Sequence, residues 1–157
     1  MNSINYRKAT TADCEALIKI RMDNLAHYKT TETPADEEIL YQSVKQFFET
    51  SLANGTFITW LACDQNEKII ATSGLTFFCN APSMSNLTGK TGYITNMYTY
   101  PEYRRRGIGS NLLALTVEEA FAQGCGRIVL YKTGMGNGIY KNFGFEDSNG
   151  YMTYNKQ

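Results

Sequence analysis

At Asn54-Gly55 the apolar periodicity of the chain changes, and that change limits the folds open to it. Before it, the period is helical: Leu17, Ile20 and Leu25 form one stripe, and Ile39, Leu40, Val44, Phe47, Phe48 and Leu52 form another. Thr10 or Thr11 caps the first helix. Pro34 and the acidic turn "ADEE" open the second, and Asn54-Gly55 closes it. A short strand, "INYRKA" (residues 4–9), precedes both.

After Gly55 the runs become β-rich. "TFITWLACD" and "KIIATSGLTFFC" are separated by Gln65-Asn66-Glu67 and predict an antiparallel hairpin. Asn80 to Lys90, "NAPSMSNLTGK", is a polar loop long enough to be mobile, and "TGYITNMYTY" follows as a fourth strand. Leu112, Leu113, Val117, Ala120 and Phe121 return to helical spacing, with Gly124 as the stop. "RIVLYK" reads as a buried strand, "GMGNGIYKNFGF" as a short helix stopped by Gly144, and "YMTYN" as a last strand. The order β-α-α-β-β-β-α-β-α-β has no repeat or linker, so residues 1–157 are expected to form one domain.

Charge excludes some functions. Lys plus Arg and Asp plus Glu are both 15, so no global field draws the chain to nucleic acid or an anionic membrane. No apolar h-region opens the sequence and no run approaches the ~20 residues of a membrane span, which predicts a cytoplasmic protein. The four cysteines, Cys14, Cys63, Cys79 and Cys125, form no C-x-x-C pair and read as buried or incidental thiols. His27 is the single histidine; a histidine-based metal cage or Ser-His-Asp hydrolase would rest on it alone, and no metal is expected.

The chemistry concentrates in "PEYRRRGIGSNLL" (residues 101–113). Glycines at a strand-to-helix turn can merely permit positive φ, and three arginines can merely be solvated. Here, however, they stand at a helix N-terminus, where unpaired N–H groups and the macrodipole favour an anion. Gly107 and Gly109 let that anion approach the backbone, and Arg104, Arg105 and Arg106 offer guanidinium forks to phosphate. No Gly-Lys-Ser/Thr follows, so this is not a P-loop, and Leu112 stands where a dinucleotide fingerprint needs its third glycine.

The run Arg104 to Gly109 resembles the R/Q-x-x-G-x-G/A signature of the GCN5-related N-acetyltransferase (GNAT) family. Its flank "MYTYPEYRRRGIG" resembles that family's fourth strand running into the turn, and "IYKNFGF" its later Leu/Ile-Tyr-x-x-x-Gly-Phe block. The resemblance covers essentially the whole chain in element order, with the specific motifs in the C-terminal half. It implies an α+β layered fold whose central mixed, mostly antiparallel sheet is flanked by helices. It further implies acetyl-CoA as acyl donor, an amine-bearing acceptor, and direct attack within a ternary complex.

On that resemblance the pyrophosphate of coenzyme A meets Arg104, Arg105, Arg106, Gly107, Ile108, Gly109 and Ser110. Backbone groups of Met97, Tyr98 and Thr99, on a strand end that splays from its neighbour, pair with pantetheine amides and face the thioester oxygen. Tyr140, with an unperturbed phenol pKa near 10, is the expected proton donor to the departing thiolate. From the residues alone a packed core tyrosine is the favoured reading, with Phe143 and Phe145 beside it as packing, and it is the Ile-Tyr-x-x-x-Gly-Phe resemblance that favours the proton donor. Two departures stand out. Thr133 occupies the place of a frequent family asparagine, with Asn137 as a substitute polar contact, and "TGYITNMYTY" holds no carboxylate to act as base.

The base is left open between a neutral amine, a water relay from Thr95 or Asn96, and a residue of the first two helices. His27, Tyr28, Tyr41, "ADEE" and the loop 80–90 are available to wall the acceptor site, though most have simpler roles in packing and in the helix dipole. A small amine, an amino acid, an antibiotic or a protein N-terminus each remains as acceptor. Two other classes compete: a noncatalytic coenzyme A sensor, and a nucleic-acid module built on the arginines, which the charge balance disfavours. A homodimer through the C-terminal strands or exposed aromatics is compatible with the sequence.

Overall fold

The computed structural model describes residues 3–26, 33–134 and 136–148. Five strands form one sheet in chain order: β1 (Asn5–Lys8), β2 (Phe57–Cys63), β3 (Ile69–Cys79), β4 (Lys90–Thr99) and β5 (Arg127–Leu130). The first three pairings are antiparallel and β4–β5 is parallel. The parallel pair needs a crossover, and α3 (Ile108–Ala122) supplies it. The remaining helices are α1 (Cys14–Ala26), α2 (Pro34–Asn54) and α4 (Asn137–Phe143). The expected last strand, "YMTYN", lies outside the described residues.

Alternation along the strands divides the core. Leu61 and Ala62 are neighbours in β2, both with no exposed surface, and they point to opposite faces. Leu61 joins Leu17, Ile18, Val44 and Phe48 beneath α1 and α2, whereas Ala62 joins Ile70, Ile108 and Leu112 beneath α3. A third cluster, with Leu75, Ile94, Leu113, Ala120 and Tyr140, links β3 and β4 to α3 and α4. The sheet is therefore covered on both faces, by α1 and α2 on one and by α3 on the other.

Helix boundaries follow local chemistry. Thr33 and Asp36 form a reciprocal capping box with Pro34 at the first helical position, and Gly55 ends α2 in the left-handed region at φ 73°. Before α1 a 3-10 turn spans Thr11–Asp13; Asp13 Oδ2 accepts from the Thr10 N–H at 2.8 Å, which makes Thr10 the cap. Arg7 reaches the same carboxylate with two bonds of 2.7 and 2.9 Å, fastening β1 to the start of α1.

Several expectations are corrected. Phe121 was expected on the packed stripe of α3 and Ile39 on that of α2, but they are 56% and 66% exposed. Their stripes are wider in sequence than the faces the sheet covers. Phe143 is also partly exposed, its ring tilted against that of Phe145. The loop 80–90 is tied by Asn80 N–H to Gly89 O, by a Ser83–Asn86 bridge, and by Asn86 Nδ2 to Thr91 Oγ1 at 3.1 Å. Lys90 belongs to β4 rather than to the loop.

Candidate active site

Two irregularities of β4 shape the site. Pairing with β3 shifts register between Thr72 and Gly74, so Asn96 and Met97 bulge, and Asn96 takes φ 52°. The buried Thr72 hydroxyl holds the bulge by donating to Asn96 O at 2.8 Å. On its other edge, the ladder to β5 ends at Ile94↔Leu130. Beyond that point, residues 95–99 have no strand partner on that edge among the described residues. Met97, Tyr98 and Thr99, the strand end for which the family resemblance implies a splay, lie along this edge.

The turn after β4 brings α3 to this opening. A 3-10 turn at Pro101–Tyr103 leads to Arg105 at φ 61° and Gly107 at φ 74°. The left-handed conformation of Gly107 is the reason for a glycine there. The helix it starts has no side-chain cap, and its first intrahelical bond is donated by Asn111 to Gly107 O. The N–H groups of Ile108, Gly109 and Ser110 therefore face outward without an intrahelical acceptor, and no acidic residue stands in the first turn. The Ile108 side chain is core, so only its backbone belongs to the site.

Gly109 is a different case. A Cβ built there would meet Ile139 Cδ1 at 3.4 Å and Thr99 Oγ1 at 3.9 Å, which is ordinary contact. Protein packing does not require this glycine. Its missing side chain instead keeps clear the junction of α3, the end of β4 and α4.

The arginines divide their labour. Arg104 Nε donates to Thr99 O at 2.9 Å and its guanidinium lies 5.8 Å from the Tyr98 ring, so it staples the strand end and occupies that carbonyl. Arg106 donates to Glu102 O at 2.9 Å and covers Tyr103. Arg105 is exposed and makes no hydrogen bond or ion pair among the described residues. Tyr98 packs edge-on against Tyr100 at 5.2 Å, and burial raises the pKa of its phenol.

From α4, Tyr140 turns its hydroxyl toward Met97, 3.6 Å from the sulfur, while its ring is packed by Phe145. Gly136 makes room for that ring, since a Cβ there would stand 2.7 Å from Tyr140 Cε2. Asn137 begins α4, half-buried. The tyrosine is thus both packed and aimed at the bulge.

On the face of α1 and α2, a cleft of about 250 Å³ reaches the same bulge. Thr95 and Asn96 form its floor. Ser43, Val44, Phe47 and Phe48 of α2 and Arg21 of α1 form its walls. Phe47 was expected in the core; it is 42% exposed because it faces this cleft, with edge contacts to Phe48 and Phe57. Tyr41 packs into the core beneath the two helices, whereas His27 and Tyr28 lie outside the described residues.

Arg21 was missed in the sequence. Its signal is an arginine three residues after Ile18 and four after Leu17, in the buried stripe of α1. Burial lowers the pKa of its guanidinium, opposed by the nearby Tyr93. Among the described residues no group of His, Cys, Asp and Glu could hold a metal, and no helix is long and apolar enough to cross a membrane.

Comparison with known proteins gives this geometry a context. A Bos taurus thialysine N-epsilon-acetyltransferase is 27% identical over 154 residues, covering 94% of this chain and 86% of its own length. A crystal structure of a predicted acetyltransferase from Clostridium acetobutylicum with acetyl-CoA superposes at TM-score 0.87 and 33% identity, covering 98% of this chain and 96% of that one. A GCN5-related N-acetyltransferase from Ralstonia eutropha JMP134 shares the fold at TM-score 0.85 and 23% identity, with 97% and 98% covered. The model of the acetyltransferase (GNAT) family matches residues 17–145, from α1 past α4. The chain belongs to that family of N-acetyltransferases.

Proposed function

We propose that the protein transfers the acetyl group of acetyl-CoA to a primary amine held in the cleft between α1, α2 and β4, by direct attack in a ternary complex. The observation that carries this reading is a convergence on the open end of β4, residues 95–99: the start of α3 meets it at Thr99 through Gly109, and the Tyr140 hydroxyl meets it at Met97. The sequence relatives named for an ε-amine favour an alkyl amine as acceptor.

Each part has a task. The N–H groups of Ile108, Gly109 and Ser110 take the pyrophosphate, with Arg105 as the adjacent guanidinium that is not already engaged. The open edge at Met97 and Tyr98 pairs with pantetheine, and an N–H there stabilises the oxyanion formed as the amine attacks. Tyr140 gives its proton to the thiolate as the carbon–sulfur bond breaks. Asn137 adds a polar contact near the start of α4. Thr95, Asn96 and Ser43 can hold a water that carries away the amine's proton.

Acetyl-CoA, but not DNA, should raise the melting temperature, because a ligand of the native state stabilises it by mass action. Release of free thiol with a panel of amines then tests transfer. Acetyl-CoA binding without thiol release across that panel would instead favour a noncatalytic sensor.

A further inference from the structure

We propose that the acceptor carries a carboxylate as well as its reactive amine, and that Arg21 binds that carboxylate in the cleft. This rests on the reading of the cleft as the acceptor site. It narrows the open list of amines to amino-acid-like ones.

Arg21 is a half-buried cation with no hydrogen bond or ion pair among the described residues. Arg7 is engaged by Asp13, Arg104 by Thr99 O and Arg106 by Glu102 O, and Arg105 is exposed to solvent, whereas Arg21 is withdrawn into the cleft. A desolvated guanidinium without a counterion is costly, and a ligand that brings the missing anion recovers that cost on binding. Desolvation also lowers the Arg21 pKa, although a guanidinium remains charged at neutral pH.

The rest of the lining points the same way. No carboxylate is among the described residues of the cleft, so nothing there attracts a second cationic group. A polyamine or polycationic antibiotic would bring positive charge to Arg21 uncompensated. Val44, Phe47 and Phe48 provide an apolar wall for methylenes, and a single guanidinium fork matches the two oxygens of one carboxylate. With the carboxylate on Arg21, the chain of the acceptor runs over Thr95 and Asn96, and the next residue along β4 is Met97, beside Tyr140.

The test compares lysine, ornithine and thialysine with their carboxamides and with cadaverine and putrescine, by thiol release at saturating acetyl-CoA. The wild-type protein should prefer the acids, chiefly through KM. Arg21→Met should reduce the lysine-to-lysinamide ratio of kcat/KM by about 10- to 100-fold, as expected for loss of a charged hydrogen-bonded pair. Arg21→Lys should fall between, because it keeps the charge and loses the fork. The substrate comparison needs no variant and so survives a misfolded Arg21→Met. A protein that binds acetyl-CoA yet uses the amides or diamines as well as the acids, or uses none of the acids, overturns the role of Arg21. A protein that fails to bind acetyl-CoA overturns the donor reading instead.

Discussion

The phenol oxygen of Tyr140 lies 3.6 Å from the sulfur of Met97, joining residues 43 positions apart. Met97 sits in the bulge of β4 and Tyr140 on a helix of seven residues, so the contact ties the last described helix to the strand edge. Tyr140→Phe is expected to lower kcat by about 100-fold or more, the scale of a lost general acid. Acetyl-CoA affinity, read by calorimetry, should be nearly intact. Undiminished turnover, with an acceptor for which chemistry limits the rate, would refute the proton-donor role.

Gly136 supports the same tyrosine. An alanine methyl there would stand 2.7 Å from the ring, so the ring must move. Gly136→Ala should lower kcat about 10- to 100-fold by misplacing the hydroxyl, with little further loss when combined with Tyr140→Phe. Steady-state kinetics of the two single variants and the double variant provide the check. Fully additive losses would show that Gly136 acts elsewhere.

Gly109 separates binding from folding. Because an alanine methyl fits at ordinary contact distances, Gly109→Ala should keep the wild-type melting temperature while weakening acetyl-CoA. Gly109→Trp should abolish coenzyme A binding. By contrast Gly107→Ala should itself destabilise the fold by about 1 kcal/mol, since φ is 74° there. Unchanged coenzyme A affinity in Gly109→Trp would refute the placement of the pyrophosphate.

Asp13 gives a pH signature. Its hydrogen bonds with Arg7 hold its carboxyl below the ordinary value, helped by the Thr10 N–H and opposed by desolvation. A depressed folded-state pKa stabilises the protein above the unfolded value, about 3.9, and that contribution is lost as pH falls through the lower folded value. Asp13→Asn should therefore cost about 1 kcal/mol at pH 7. Denaturant titrations of both proteins should converge in the acid range, and a gap independent of pH would contradict the ion-pair origin.

Much of the fold was legible because its signals are local. Thr33, Pro34 and Asp36 announce the start of α2 within four residues, and Gly55, Gly124 and Gly144 take the left-handed stops their positions implied. The turn at Gly107 was legible for the same reason. The bulge at Asn96 was not, because it arises from register with β3, and no pattern within "ITNMY" encodes the offset. Nor was the cleft, whose walls come from α1, α2 and β4. Arg21 reads as one more helix charge until α1 is laid on the sheet. Phe47 and Phe121 show the limit of periodicity: it identifies an apolar stripe but not how far the neighbouring layer extends over it.

The bare start of α3 bears on how much protein persists. α2 closes its own first turn with Thr33 and Asp36, while the start of α3 at Gly107 has no side-chain cap among the described residues. An anion seated there acts as a borrowed cap, present only while the ligand is bound. The folded population, and with it resistance to proteolysis, then tracks the supply of that ligand. The abundance of the enzyme would follow the availability of the acyl donor it consumes.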